Sequence, residues 1–426
     1  MTETLSSLKG KKLLVLSGNS LNEKIVTAAK ELGVYTIVAD YLDSDTSPAK
    51  KIADESWEIS YSDIDGLERL CRENRVDGAL ACFREATQLP YLQLCRRMGY
   101  PCYGTEEQFA LLANKKHFKE LCRKNGVEVI PDYSREDAAK RAISFPVFVK
   151  PADNGGSKGQ SLCRDYDELE NAIRFAESES HSGEVIIERY LADKTSFQVT
   201  YFFTNGEAHV TRTVDGYKGS PEDEMERVAL CSISPSRYTE EFLRGTNDKV
   251  VAMLKSIGVR NGPVMLQGFY DDGVFRFYDP GRRFPGTNYE ILYRDLFGVD
   301  VMKMMVAFAL TGSMPDLNIA QENVFLKGER AVVLFPTVSA GTIAVLEGTR
   351  TLENDSRIGK VIQKYKVGDT VKASYTTMQR VFEVDFLCRE EQVKEIIRFI
   401  QGTIRVLDAD GNSLLFSEFD PDRISD

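Results

Sequence analysis

The chain has 426 residues, 54 Lys plus Arg against 65 Asp plus Glu, and a net charge of −11. That length suggests two or three domains and a large core, and the 42% hydrophobic and 28% charged content is ordinary for globular proteins. The acidic balance argues against sequence-independent nucleic-acid binding, and no apolar run nears the roughly 18 residues of a membrane span.

From Lys12 to Gly104, short apolar strands alternate with amphipathic helices. Lys12–Gly18, Val34–Asp40, Trp57–Ser60 and Gly78–Cys82 read as strands; Lys24–Leu32, Ile64–Asn74 and Leu89–Met98 read as helices. This rhythm predicts a small, parallel, doubly wound sheet. Gln108–Asn125 reads as a strongly helical stretch with Gly126 at a C-cap position, and Lys115 and Lys116 open the helix that ends there.

The pattern then becomes strand-rich, predicting α+β architecture: Phe145–Pro151, Glu184–Leu191, Ser196–Thr204, Glu207–Val214, Arg227–Pro235, Pro263–Tyr270 and Val274–Pro280. Helices are expected near Tyr166–Glu177, Glu240–Ile257 and Asp300–Thr311. Gly312–Ile319 looks like a boundary, followed by strands at Ala331–Phe335, Thr342–Glu347, Thr370–Tyr375, Arg380–Leu387 and Ile404–Ala409, with a helix at Glu390–Ile400. The eight cysteines form no C-x-x-C pair, as expected of a reduced cytoplasmic protein, and the start reads as a strand rather than a secretory signal. His117, His181 and His209 lack metal-ligand spacing.

Few segments carry chemistry. The Ser17–Ser20 turn suits a dinucleotide phosphate by position, but it has one glycine where G-x-G-x-x-G has three. A nicotinamide-dependent oxidoreductase is therefore disfavoured. Lys150–Ser161 (KPADNGGSKGQS) is a stronger loop, because Gly155, Gly156 and Gly159 let consecutive N–H groups face one anion while Lys150 and Lys158 flank it. A solvated hairpin is the competing reading, as are surface charge for Lys115 and Lys116 and a solvated strand end for Glu188. In the hairpin Met265–Arg283, a three-residue loop would set Gln267 opposite Asp279 as two oxygen ligands on one face. A two-residue loop at Asp272–Gly273 would misplace them by one residue. Arg282 and Arg283 can each clamp carboxylate or phosphate oxygens, or simply pair with Asp279 in a turn.

The order of these pieces resembles the ATP-grasp superfamily, most closely its carbamoyl-phosphate-synthase-like and L-amino-acid-ligase-like members. The resemblance implies a pre-ATP-grasp doubly wound domain (1–107), a two-subdomain ATP-grasp domain (108–315, dividing near 188/189) and a small α+β ligase-type cap (316–426). It implies ATP binding by Lys115, Lys150, the lid Gly155, Gly156, Ser157, Lys158 and Gly159, the hinge Glu188, Arg189, Tyr190 and Leu191, and Ser196 beyond it. Gln267 and Asp279 fall on the metal positions for Mg²⁺, with Mn²⁺ as a substitute; Arg283 falls on the family's arginine and, with Lys150, on the catalytic positions. Three departures stand out: Asp279 for the usual Glu, Gly281 for the usual Asn and Gln267 for the upstream acid, leaving one carboxylate fewer for the cation.

The expected activity is ATP-dependent ligation of a small carboxylate to an amine through an acylphosphate, releasing ADP and phosphate. The alternatives are a bicarbonate-using enzyme of the carbamoyl-phosphate-synthase or carboxylase type, and an ATP-binding protein with a degenerate site. Expected partners are small molecules, without nucleic acid or membrane; a homodimer is the base-rate expectation. Specificity is expected from the Gly216–Met225 loop and from Thr287–Glu290.

Overall fold

The computed structural model describes residues 7–153, 158–191, 194–220, 225, 228–315 and 319–424. β1 (Lys12–Leu16), β2 (Tyr35–Asp40), β3 (Glu55–Glu58) and β4 (Gly78–Leu80) form a parallel sheet in the order β3-β2-β1-β4. The run KLLVL of β1 is buried almost throughout, as a strand covered on both faces should be. The helix Val301–Thr311 closes onto this sheet, so tightly that a Cβ at Gly78 would lie 2.3 Å from the Ala309 carbonyl oxygen. One core joins residues from Leu8 to Phe109 with others from Phe284 to Leu326. The core does not divide at residue 315.

The helical stretch Gln108–Asn125 is two helices, Glu106–Ala113 and Lys115–Lys124, the second opening at Lys115 as the sequence leads us to expect. Asn114 separates them with extended backbone (φ −99°, ψ 113°), and its side-chain oxygen accepts from the N–H groups of Lys116 and His117. Asn is a favoured N-cap residue, and here it divides an otherwise continuous apolar pattern. Glu240–Ile257 is similarly divided, into Thr239–Gly245 and Asn247–Ser256.

Two antiparallel sheets follow. β5 (Asp132–Tyr133), β6 (Val147–Pro151), β7 (Ser161–Cys163) and β8 (Val185–Arg189) form the smaller, in the order β5-β8-β6-β7. The larger has eight strands in the order β13-β12-β9-β10-β11-β14-β19-β17. These are β9 (Ser196–Thr204), β10 (Glu207–Lys218), β11 (Ala229–Ser234), β12 (Gly262–Asp271), β13 (Val274–Gly281), β14 (Glu329–Leu334), β17 (Ile358–Gln363) and β19 (Phe382–Arg389). Three of them come from beyond residue 316, so the C-terminal segment extends the central sheet instead of building its own. Its helix Val393–Thr403 sets Ile396 and Ile400 in one core with Leu230, Cys231 and Ile233 of β11. β17 is an edge strand without fully buried residues, and its sequence accordingly lacks apolar alternation. Two short ribbons complete the segment, β15 (Gly341–Thr342) with β18 (Thr370–Val371) and β16 (Val345–Glu347) with β20 (Arg405–Leu407).

All eight cysteines are free, and seven are buried. Among the described residues, no helix is long and apolar enough to cross a membrane.

Candidate active site

Both antiparallel sheets contribute to one cavity of about 470 Å³. Its lining gathers Lys115, Lys150, Glu188, Arg189, Tyr190, Leu191, Ser196, Gln267, Asp279 and Arg283, residues scattered over 169 positions of sequence (Lys115 to Arg283, inclusive). Six cationic side chains line it against two carboxylates, although the chain as a whole is acidic. Such a local excess suits a polyanion.

Lys115 owes its place to the break at Asn114. It is the first residue of its helix, its N–H donates to the Ala152 carbonyl at 2.9 Å, and its side chain is 9% exposed. Lys150 projects from β6 on the same face as Phe148, two residues earlier, and β8 brings Glu188 directly opposite Phe148. Glu188 Oε1 accepts from Lys150 Nζ at 2.5 Å, and its Oε2 accepts from Lys119 Nζ at 3.0 Å. All three residues are at most 3% exposed. Burial pushes the Glu188 carboxyl up, but Lys150 and Lys119 overcome it and hold the group below its ordinary range. Burial also lowers Lys150, opposed by Glu188. The stable state is the charged cluster, because each charge alone would be expelled from so dry a place.

Sequence reasoning missed Lys119. Its signal is the i+4 spacing from Lys115, on a stripe shared with the buried Phe118 and Cys122.

Beyond Glu188, the Arg189 guanidinium pairs with Asp271, and the Tyr190 ring stacks on Phe148 with centroids 6.2 Å apart. Ile130, Leu191 and Phe269 form a small apolar cluster at this end, with Tyr278 packed against it. Flat apolar walls beside the chain segment joining the two sheets suit a purine ring. Ser196 pairs directly with Phe269 across β9 and β12, its hydroxyl donating to the Gly216 carbonyl at 3.0 Å.

Gln267 and Asp279 are directly paired across β12 and β13 and share a face. The route to this register combines both loop readings. The turn is the two-residue one, with Asp271 opposite Val274 and positive φ at Asp272 (49°) and Gly273 (86°). Gly268 then pairs with Phe277, and Tyr278 is an extra residue before Asp279 meets Gln267. This bulge corrects the one-residue offset. It also sets the Tyr278 hydroxyl 3.1 Å from Gln267 Oε1 and its ring 4.6 Å below Lys150 Nζ. Asp279 Oδ1 lies 3.2 Å from Lys115 Nζ.

The adjacent arginines part company. Arg282 is 1% exposed and donates to the carbonyls of Pro263, Tyr103 and Asn261, so it holds the fold together. Arg283 turns into the cavity and pairs with Glu85 at 3.1 Å.

Other expectations fall elsewhere. Gly155, Gly156 and Ser157 lie outside the described residues. Lys158 is exposed, and neither it nor Gly159 lines the cavity; a Cβ on Gly159 would meet Pro151 at 2.7 Å and Glu179 at 2.8 Å, so this glycine answers to packing. The Ser17–Ser20 turn is likewise structural. Gly18 N–H donates to Asp40 Oδ2 at 2.7 Å, which occupies the donor and places a carboxylate where a phosphate would sit.

The C-terminal segment adds Thr377 and Arg380 to the cavity, which no local motif announced. Arg380 lies over the Phe335 ring at 3.8 Å and donates to the Ala229 carbonyl at 2.8 Å, and burial lowers its pKa to about 10.

Among the described residues, no cluster of three or more His, Cys, Asp or Glu could hold a metal alone. Asp279 and Gln267 offer a hard cation two oxygen donors. That donor set fits Mg²⁺, which is commonly held by one or two carboxylates together with substrate phosphates.

The architecture and this cavity define an ATP-grasp fold. Residues 114–200 match the family model described as carbamoyl-phosphate synthase L chain, ATP binding domain. The L-amino acid ligase from Bacillus licheniformis superimposes with a TM-score of 0.75 at 17% identity, covering 94% of this chain and 99% of that one. In sequence, the chain is 28% identical over 202 residues to the 2-oxoglutarate carboxylase small subunit of Hydrogenobacter thermophilus, and 24% identical over 347 residues to biotin carboxylase 1 of Bacillus subtilis. The first match covers 42% of this chain and 42% of that subunit; the second covers 75% and 74%. The chain thus spans less than half the length of the first of these relatives, and its match to the carbamoyl-phosphate synthase ATP binding domain is confined to residues 114–200.

Proposed function

We propose that this protein is an ATP-dependent carboxylate–amine ligase. The observation that carries the reading is the convergence of Lys115, Lys150, the Glu188–Leu191 segment and the facing pair Gln267 and Asp279 on one cavity. Lys115 and Lys150 bind the triphosphate oxygens and neutralise charge as the terminal phosphoryl group moves. Ile130, Leu191 and Phe269 take the base. Asp279 and Gln267 would hold Mg²⁺, which would supply further charge neutralisation at the phosphates.

A substrate carboxylate oxygen attacks the γ-phosphorus. The bond to the β–γ bridging oxygen breaks, and ADP leaves. The amine then attacks the acyl carbon of the acylphosphate, phosphate departs and the nitrogen loses a proton. Arg283 steadies the carboxylate and then the tetrahedral oxyanion. No protein nucleophile is required, consistent with cysteines that are free and mostly buried.

The test is ADP release from ATP and Mg²⁺ with pooled carboxylates, with hydroxylamine as a trap. A hydroxamate that forms with one acid and vanishes in Lys150→Ala supports the reading. Saturable ATP binding without ADP release from any pool would favour a non-catalytic nucleotide site. A second reading takes bicarbonate as the carboxylate and is favoured by the carboxylases among the relatives. It predicts that bicarbonate alone stimulates ADP release.

A further inference from the structure

Lys115 and Asp279 serve different partners in the proposed reaction, the triphosphate and the cation, yet in the fold they meet each other. Lys115 Nζ lies 3.2 Å from Asp279 Oδ1, with the two side chains 9% and 28% exposed. An ammonium at that distance rivals any divalent cation for the same carboxylate, because two like charges would face each other across a few ångströms in a poorly hydrated place. The cavity sharpens the rivalry. Lys115, Lys150, Arg189, Lys218, Arg283 and Arg380 line it against Glu188 and Asp279, a field that disfavours a bare cation and favours a polyanion.

The surroundings hold the two residues together. Lys115 opens its helix, and its N–H is tied to the Ala152 carbonyl at 2.9 Å, which anchors the residue at the cavity wall. Glu188, the other carboxylate of the lining, already accepts from Lys150 at 2.5 Å and from Lys119 at 3.0 Å. Asp279 is therefore the cavity carboxylate on which Lys115 and a cation converge. Glu85 lies close enough for both Lys115 and Asp279 to act on its charge, but Arg283 holds it at 3.1 Å. Gln267, facing Asp279, is neutral and brings no charge to offset the ammonium. One lone pair of its Oε1 is engaged by the Tyr278 hydroxyl at 3.1 Å.

We propose that Lys115 keeps divalent cations off Asp279 until a polyphosphate takes the lysine over, so that cation and nucleotide enter this site together. That the polyphosphate is ATP rests on the ligase reading above; the rivalry for Asp279 rests on the contact alone. Phosphate oxygens draw the Lys115 ammonium to themselves and release the carboxylate. By linkage the effect is reciprocal, and a cation on Asp279 displaces Lys115 toward the phosphates. Lys115 thus acts in two opposite directions, favouring the nucleotide and opposing the bare cation. A lysine that only supports the fold, or only binds phosphate, would show no such opposition.

The test is a Mn²⁺ titration of the full chain without nucleotide, with free Mn²⁺ read from its electron paramagnetic resonance signal. The wild type is compared with Lys115→Met, with Lys115→Gln as a second form of the same change, and with Lys115→Met combined with Asp279→Asn. Lys116→Met removes an equal charge one residue away, and folding is checked by circular dichroism. ATP is titrated separately in the presence of EDTA. Lys115→Met and Lys115→Gln should bind Mn²⁺ more tightly than the wild type, by about fivefold or more, the lower end of ordinary coupling between two ligands. The gain should vanish with Asp279→Asn, Lys116→Met should match the wild type, and ATP should bind Lys115→Met more weakly. The proposal is overturned if folded Lys115→Met and Lys115→Gln show no gain in Mn²⁺ affinity, if the gain survives Asp279→Asn, or if Lys116→Met shows it equally. A gain through Asp279 in a protein that does not bind ATP would remove the nucleotide reading and leave the rivalry standing. ATP binding without the gain would do the reverse.

Discussion

Glu188 Oε1 lies 2.5 Å from Lys150 Nζ, and neither residue is more than 3% exposed. A carboxylate on a strand end, which in sequence reads as solvated, is instead the counter-ion of two buried lysines. Glu188→Gln would leave Lys150 and Lys119 facing each other without it. The expected loss is about 3–5 kcal/mol in urea unfolding at pH 7, the range for breaking a buried ion pair. Lys119→Met should cost less, because Lys150 still neutralises Glu188. The depressed pKa of Glu188 gives stability that is present above its ordinary value of 4.5 and is lost as acid protonates it in the fold. The gap between wild type and Glu188→Gln should therefore narrow below that pH.

The proposed metal role of Gln267 and Asp279 predicts a gain of function. Gln267 faces Asp279 directly, so Gln267→Glu would place two carboxylates on one cation. The Mg²⁺ concentration giving half-maximal nucleotide affinity should fall by about tenfold. Without Mg²⁺ the same change should destabilise the fold slightly, by about 0.2–1 kcal/mol, because like charges would oppose each other across the strands. Gly281→Asn is a poorer route to a third ligand, since a Cβ there would lie 3.1 Å from Met265 Cγ.

Asp385 should make stability depend on pH in the opposite sense to Glu188. Burial and the neighbouring Glu383 push its carboxyl up to about 6 from an ordinary 3.8, while Asn288, Lys360 and Arg212 pull it down. A raised carboxyl burdens the folded state above its folded pKa and is relieved as pH falls through that value. Asp385→Asn should therefore be more stable than the wild type at pH 8, by about 1–3 kcal/mol. The advantage should shrink between pH 6 and pH 4. Urea unfolding at pH 8 and pH 4.5 checks both limits.

The parts of the site that sequence made legible are those fixed by local geometry. Lys150 and Glu188 stand on strands whose period decides what they face, and Gln267 and Asp279 stand on one hairpin. Even there the turn alone gave the wrong register, and the bulge at Tyr278 restored it. Arg282 and Arg283 were indistinguishable until tertiary packing buried one among backbone carbonyls and turned the other into the cavity. Arg212, Asp385 and Arg380 depend on the order of strands in the eight-stranded sheet, which no local pattern encodes. The same long-range pairing joined the C-terminal segment to the central sheet, where composition had suggested a separate unit.

The measurement that bears most directly on the central claim is an ATP titration, with Mg²⁺, of the wild type beside Lys115→Met and Lys150→Met. Saturable binding, weakened at least tenfold by either substitution while the circular dichroism spectrum is preserved, is the predicted result. No saturable ATP binding by the wild type, or equal affinity in all three proteins, would contradict the assignment of this cavity to the nucleotide.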